Sequence, residues 1–125
     1  EDKLALDKKT ARELRFLKAG LRAEKQTAYY LDSYFKDSAD IHVFNNFKFA
    51  FNGQTAQIDH LVICRRAAWL IESKSISGSI SVNGMGEFTR WYKNRPEQII
   101  SPIAQVKRQK VMLKNLLKDN TENLV

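Results

Sequence analysis

The stretch QIDHLVICRRAAWLIESKSISG, residues 57–78, decides the fold. Two apolar runs flank Arg65, Arg66, Ala67 and Ala68, which is the pattern of two β-strands joined by a tight turn. Three charges interrupt the pattern: Asp59 in the first strand, and Glu72 and Lys74 at the end of the second. Side chains alternate across a strand, so Glu72 and Lys74 share a face. With Cys64 opposite Trp69, the pairing continues Ile63–Leu70, Leu61–Glu72 and Asp59–Lys74, and Asp59 joins that face. A slip of one residue would send it to the other side.

Upstream, the first 35 residues read as helix. Leu14, Leu17, Leu21, Ala28, Leu31 and Phe35 recur at the three-four spacing of one helical face, which predicts a buried stripe. Glu24 falls inside that stripe, between Leu21 and Ala28. A carboxylate on a buried face is costly unless a cation meets it. From residue 41 to 51 the period changes to that of a strand, with Val43, Phe47, Phe49 and Phe51 half-buried and an irregularity at Asn45-Asn46. Asn52-Gly53 is a hairpin turn signal.

Downstream, Ser77-Gly78 reads as a turn into a fourth strand, FTRWY as an edge strand and KNRPEQII as loop. Ser101 and Pro102 open the last helix, a serine cap followed by a proline that loses nothing in the first turn. Val106, Met112, Leu113, Leu116 and Leu117 form its apolar side, with Gln105 and Gln109 beside them. The order predicts an α+β, sandwich-like domain: a mixed sheet of about four or five strands flanked by helices.

If the first helix covers the sheet, Glu24 approaches Asp59 and Glu72. Three converging carboxylates repel, and a hard divalent cation, Mg²⁺ or Mn²⁺, resolves the repulsion. The simpler alternative for Asp59, Glu72 and Lys74 is a solvated cross-strand ion pair, with a contribution of about 0–1 kcal/mol. Glu24 and Gln105 together argue against it.

The ordered set AGLRAEKQT, QIDHLVI, WLIESKSISG and SPIAQVKRQ resembles the nuclease-related domain, NERD, of the PD-(D/E)XK nuclease superfamily. The resemblance runs from about Gly20 to about Leu117. It implies a restriction-endonuclease-like core and metal-dependent hydrolysis of DNA, with RNA left open. By matching motif, Asp59 and Glu72 are the principal metal ligands and Glu24 the helix acid. Lys74 positions or activates the attacking water, and Gln105 matches the glutamine of the last helix. Ser73 should point off the active face. A catalytically inactive fold that only binds nucleic acid is the alternative.

The net charge of +7 favours a polyanionic partner, nucleic acid before an anionic membrane. Arg22, Lys25, Arg90, Lys93, Arg95, Lys107 and Arg108 are the candidate phosphate contacts. Trp69 and Trp91 read as packing residues, although RWYKNR, residues 90–95, mixes aromatics with cations as nucleic-acid surfaces do, and His60, one residue from Asp59, reads as a structural histidine on the opposite face. A single cysteine, Cys64, rules out an internal disulfide and a thiolate zinc cluster within the chain. The expected setting is the reducing cytoplasm, with no spanning segment in this stretch. The 125 residues are enough for one domain. An initial Glu and a polar end suggest a piece of a longer protein, on which an anchor or further domain could lie. Cutting both strands of a duplex would suit a homodimer.

Overall fold

The computed structural model describes residues 2–122, with side chains described for residues 2–120. Its elements run α1 (Asp2–Phe35), β1 (His42–Phe51), β2 (Gln54–Ile63), β3 (Ala68–Ile71), β4 (Ser79–Val82), β5 (Phe88–Tyr92), β6 (Arg95–Ile99) and α2 (Pro102–Glu122). The α+β class is as expected. The strands are distributed differently: instead of one mixed sheet they form two three-stranded antiparallel sheets, β1-β2-β3 and β4-β5-β6.

Short turns explain the antiparallel order. Asn52 and Gly53, both at positive φ, close the β1–β2 hairpin between Phe51 and Gln54. Lys93 and Asn94, also at positive φ, close β5–β6 between Tyr92 and Arg95. That second turn carries no Asn-Gly signature, which is why KNRPEQII reads as loop although it holds β6. Pro96 is tolerated because β6 is an edge strand. FTRWY, expected at the edge, is the central strand of its sheet.

The β2–β3 register differs from expectation by two residues. Cys64 N–H donates to Ala67 O at 2.9 Å, so the turn closes earlier and Ile63 pairs with Ala68, Leu61 with Leu70 and His60 with Ile71. The observed register sets Leu61 against Leu70, where the expected one would set it against the Glu72 carboxylate. An even shift preserves the faces. Asp59 therefore stays on the face of Glu72, but the ladder runs toward an Asp59–Glu72 pairing, not Asp59–Lys74. In β1, Asn46 takes positive φ (56°) while the register on either side is unchanged, a local twist without an inserted residue.

The core is small. Ile58, Leu61 and Leu113 are buried together, with Phe47, Phe49, Leu70 and Leu116 packed against them. β2 thus supplies its centre and α2 its lid. The stripe predicted on α1 is only half realised. Ala28, Leu31 and Phe35 are partly buried, whereas Leu14, Leu17 and Leu21 are exposed, and none of the described residues of α1 is fully buried. The helix is about 50 Å long at 1.5 Å per residue, more than the sheet it meets can cover. Trp69 and Trp91, expected to pack, are 63% and 41% exposed.

At α2 the Ser101 Oγ accepts from Ala104 N–H at 3.2 Å and the Ser101 carbonyl from Gln105 N–H at 3.1 Å, the serine cap foreseen from sequence. Gln109 Nε2 donates to the Gln57 carbonyl at 2.7 Å, tying α2 to β2 two residues from Asp59.

Candidate functional site

β2 carries Asp59 and the chain leaving β3 carries Glu72 and Lys74, so the hairpin register places the three side by side. Asp59 is only 9% exposed. Its Oδ2 accepts from the Ser73 backbone N–H at 2.9 Å, which bridges the two strand ends and fixes the carboxylate's rotation. The Glu72 side chain is buried too, 6% exposed. One of its oxygens, Oε1, meets Lys74 Nζ at 2.9 Å. The other, Oε2, is buried and has no hydrogen-bond partner among the described residues. A buried carboxylate oxygen left unpaired costs free energy that a cation would recover.

Lys74 Nζ also donates to Gln105 Oε1 at 3.2 Å. The ammonium is therefore held between a strand end and α2. Three N–H groups minus these two acceptors leaves one donor directed elsewhere.

Glu24 comes from α1, partly buried. Its carboxyl is pushed above the ordinary carboxylate range, first by burial and then by the negative charge of Asp59, with Glu72 adding to it; His60 and Lys74 act in the opposite direction. Glu24 thus feels both other acids. Among the described residues no three His, Cys, Asp or Glu side chains are gathered into a metal-ligating group. The acids share a field rather than a closed cage.

Sequence reasoning missed what holds them there. Asn45 Nδ2 donates to both oxygens of Asp32, at 3.0 and 2.9 Å, which leaves its Oδ1 as an acceptor. His60 Nδ1–H donates to that oxygen at 2.8 Å, and this fixes the imidazole tautomer. His60 Nε2 meets Ser73 Oγ at 3.1 Å, and Ser73 Oγ lies 3.3 Å from Thr27 Oγ1. The run of contacts starts and ends on α1 and passes through β1, β2 and the segment leaving β3. Thr27 is one turn from Glu24; His60 adjoins Asp59; Ser73 separates Glu72 from Lys74. His60 is indeed a buried structural histidine (1% exposed) on the face away from Asp59. Ser73, expected to matter little, is central: its hydroxyl serves the far face and its N–H the acidic one. For His60 and Ser73 the sequence signal was adjacency to an acid, Asp59 and Glu72; Asn45 and Thr27 carry none.

The basic candidates divide. Arg22 and Lys25 are exposed on α1 beside Glu24, and Lys107 and Arg108 are exposed on α2 just beyond Gln105. Lys93 and Arg95 are exposed at the β5–β6 turn. Arg90 is not a free surface cation: it is buried, pairs with Glu97 at 2.7 Å and stacks on Phe16 and Tyr92.

A family model described as the nuclease-related domain, NERD, matches residues 19–125. The chain belongs to the NERD family. The match begins five residues before Glu24 and takes in the hairpin, both sheets and α2, the elements that carry the acids, Lys74 and Gln105. No curated protein and no solved structure matched the chain. No helix of the described residues is long and apolar enough to cross a membrane.

Proposed function

We propose that this NERD domain is a divalent-metal-dependent nuclease that hydrolyses phosphodiester bonds in DNA with little sequence specificity. The observation that carries the reading is the arrangement around Glu72: one oxygen bound to Lys74, the other buried and unpartnered, beside a second buried acid on the same face. Carboxylate oxygens are the donors that Mg²⁺ and Mn²⁺ prefer, so the residues fit such an ion in chemical type. Asp59 and Glu72 would hold it, with Glu24 as the helix acid. When bound, the metal makes a water more acidic and neutralises charge on the phosphate.

The protein's own groups do the rest. Lys74, held by Glu72 and Gln105, has one N–H left to steer a water or a non-bridging phosphate oxygen. The Ser73 N–H keeps Asp59 from rotating away. Lys25 next to Glu24 and Arg108 beside Gln105 suit the phosphates near the scissile bond, whereas Arg22 and Lys107, two residues from Glu24 and Gln105, turn to the other side of their helices. The +7 net charge draws the polyanion in, an attraction that falls with salt.

A panel of DNA forms incubated with the domain in Mg²⁺, Mn²⁺ or EDTA tests this. Cleavage should require a divalent ion and vanish in Lys74→Ala while folding persists. Cutting that survives EDTA would contradict the proposal.

One observation favours a second reading, a nucleic-acid-binding module without catalysis: the described acids do not close into a ready metal group. Metal titration followed by thermal unfolding separates the two. A divalent ion that stabilises wild type but not Glu72→Gln favours the enzyme. DNA binding without any metal effect favours the module.

A further inference from the structure

Between the N-terminal half of α1 and the β5–β6 hairpin lies an open cleft of about 990 Å³. Arg12, Arg15 and Phe16 line it from the helix, and Tyr92, Lys93 and Arg95 from the hairpin. With Arg90 on the inner wall, five of the described lining residues are cationic; the one carboxylate among them, Glu97, is committed to Arg90 at 2.7 Å.

The cations lie close to aromatic rings. The guanidinium carbons of Arg12 and Arg90 lie 5.3 and 5.5 Å from the Phe16 ring centre. Arg90 and the Lys93 ammonium lie 5.7 and 5.5 Å from that of Tyr92. Both rings stay open to solvent, 45% exposed for Phe16 and 44% for Tyr92. Arg90 itself is 9% exposed, and its Nε has no acceptor among the described residues. A buried guanidinium with an unused donor, under two accessible rings, is more than a solvated basic face requires.

Charges that meet phosphates, next to rings on which bases stack, are what a single strand needs. A duplex keeps its base faces inside and could use only the charges. We infer that this cleft binds single-stranded nucleic acid, stacking bases on Phe16 and Tyr92 while Arg12, Arg15, Lys93 and Arg95 hold the backbone.

The cleft's lining approaches the acidic site along the chain on two sides. Ala19 and Ser77 line it, five residues before Glu24 and three after Lys74. Phe16 to Glu24 is about 12 Å along the helix. The inference rests on the nuclease reading only for the fate of the strand, and it names the strand form delivered to that site.

Fluorescence anisotropy in EDTA tests the cleft without cleavage. Labelled single strands of DNA and of RNA are compared with the duplex of the same sequence at low salt. Single strands should bind more tightly than the duplex, and the tighter of the two names the natural strand. Tyr92→Ala should weaken single-strand binding about fivefold or more, the effect expected for one lost stacked base. Arg12→Glu, on the opposite wall, should weaken it comparably, which guards against a misfolded hairpin. Lys36→Glu, the same charge change just past the far end of α1, should have little effect. Wild-type affinity in both cleft variants, or a preference for duplex, overturns the inference. Tight single-strand binding by a domain that cuts nothing in any metal upholds the cleft and removes the nuclease reading instead.

Discussion

Replacing Lys74 with Met removes the only cation bound to a buried carboxylate among the described residues of the site, and its cost can be bounded from exposure. Breaking a fully buried ion pair by deleting one partner costs about 3–5 kcal/mol, whereas a surface pair contributes about 0–1 kcal/mol. This pair lies between those limits: Glu72 is 6% exposed, Lys74 39%, at 2.9 Å. Solvent reaches the ammonium but hardly the carboxylate, so a loss of about 1–3 kcal/mol is expected. Unfolding entropy of about 2.1 cal/mol/K per residue over 125 residues gives about 4 °C for each kcal/mol. In EDTA at neutral pH, Lys74→Met should melt about 4–12 °C below wild type, followed by circular dichroism. Glu72→Gln in the same background should restore part of the loss, because the amide needs no counter-ion; the double-mutant cycle isolates that coupling. A Lys74→Met variant that melts within a degree or so of wild type would refute the reasoning. Glu72 would then not depend on Lys74 for its counter-charge.

Glu24→Gln should stabilise the metal-free domain. The folded protein holds the Glu24 proton more tightly than the unfolded chain, whose carboxyl titrates near 4.5, so the group's contribution is fully favourable below 4.5 and is lost as pH rises through the raised folded value. The variant should therefore out-melt wild type at neutral pH, with an advantage that disappears in acid; a variant less stable than wild type at neutral pH would count against convergence of the acids. Gly78→Ala should selectively loosen the second sheet. Gly78 has φ +94°, and a Cβ there would overlap the Trp91 carbonyl oxygen, so strain on the order of 1–3 kcal/mol is expected. Hydrogen exchange should show faster exchange across Ser79–Val82 than in β2, and unchanged protection in β4 would contradict the strain.

The sequence by itself determined the elements whose signal is local. Periodicity placed α1, Asn52-Gly53 placed the first hairpin, and Ser101-Pro102 placed the start of α2, because each depends on neighbours a few residues apart. It also determined which side chains could carry chemistry: strand parity put Asp59 on the face of Glu72, and parity survives an even slip of register. It could not place β6, whose turn uses Lys93 and Asn94, nor foresee that Leu14, Leu17 and Leu21 would stay exposed.

Tertiary structure alone decided the rest. The register that pairs Leu61 with Leu70 runs the ladder toward Asp59 and Glu72 rather than Asp59 and Lys74. The ring from Asp32 through Asn45, His60 and Ser73 to Thr27 joins positions up to 46 residues apart. The cleft beside Phe16 forms because one end of a long helix passes over a hairpin encoded far along the chain. Such contacts depend on which surfaces remain unburied once the core has formed, and no window of sequence carries that information.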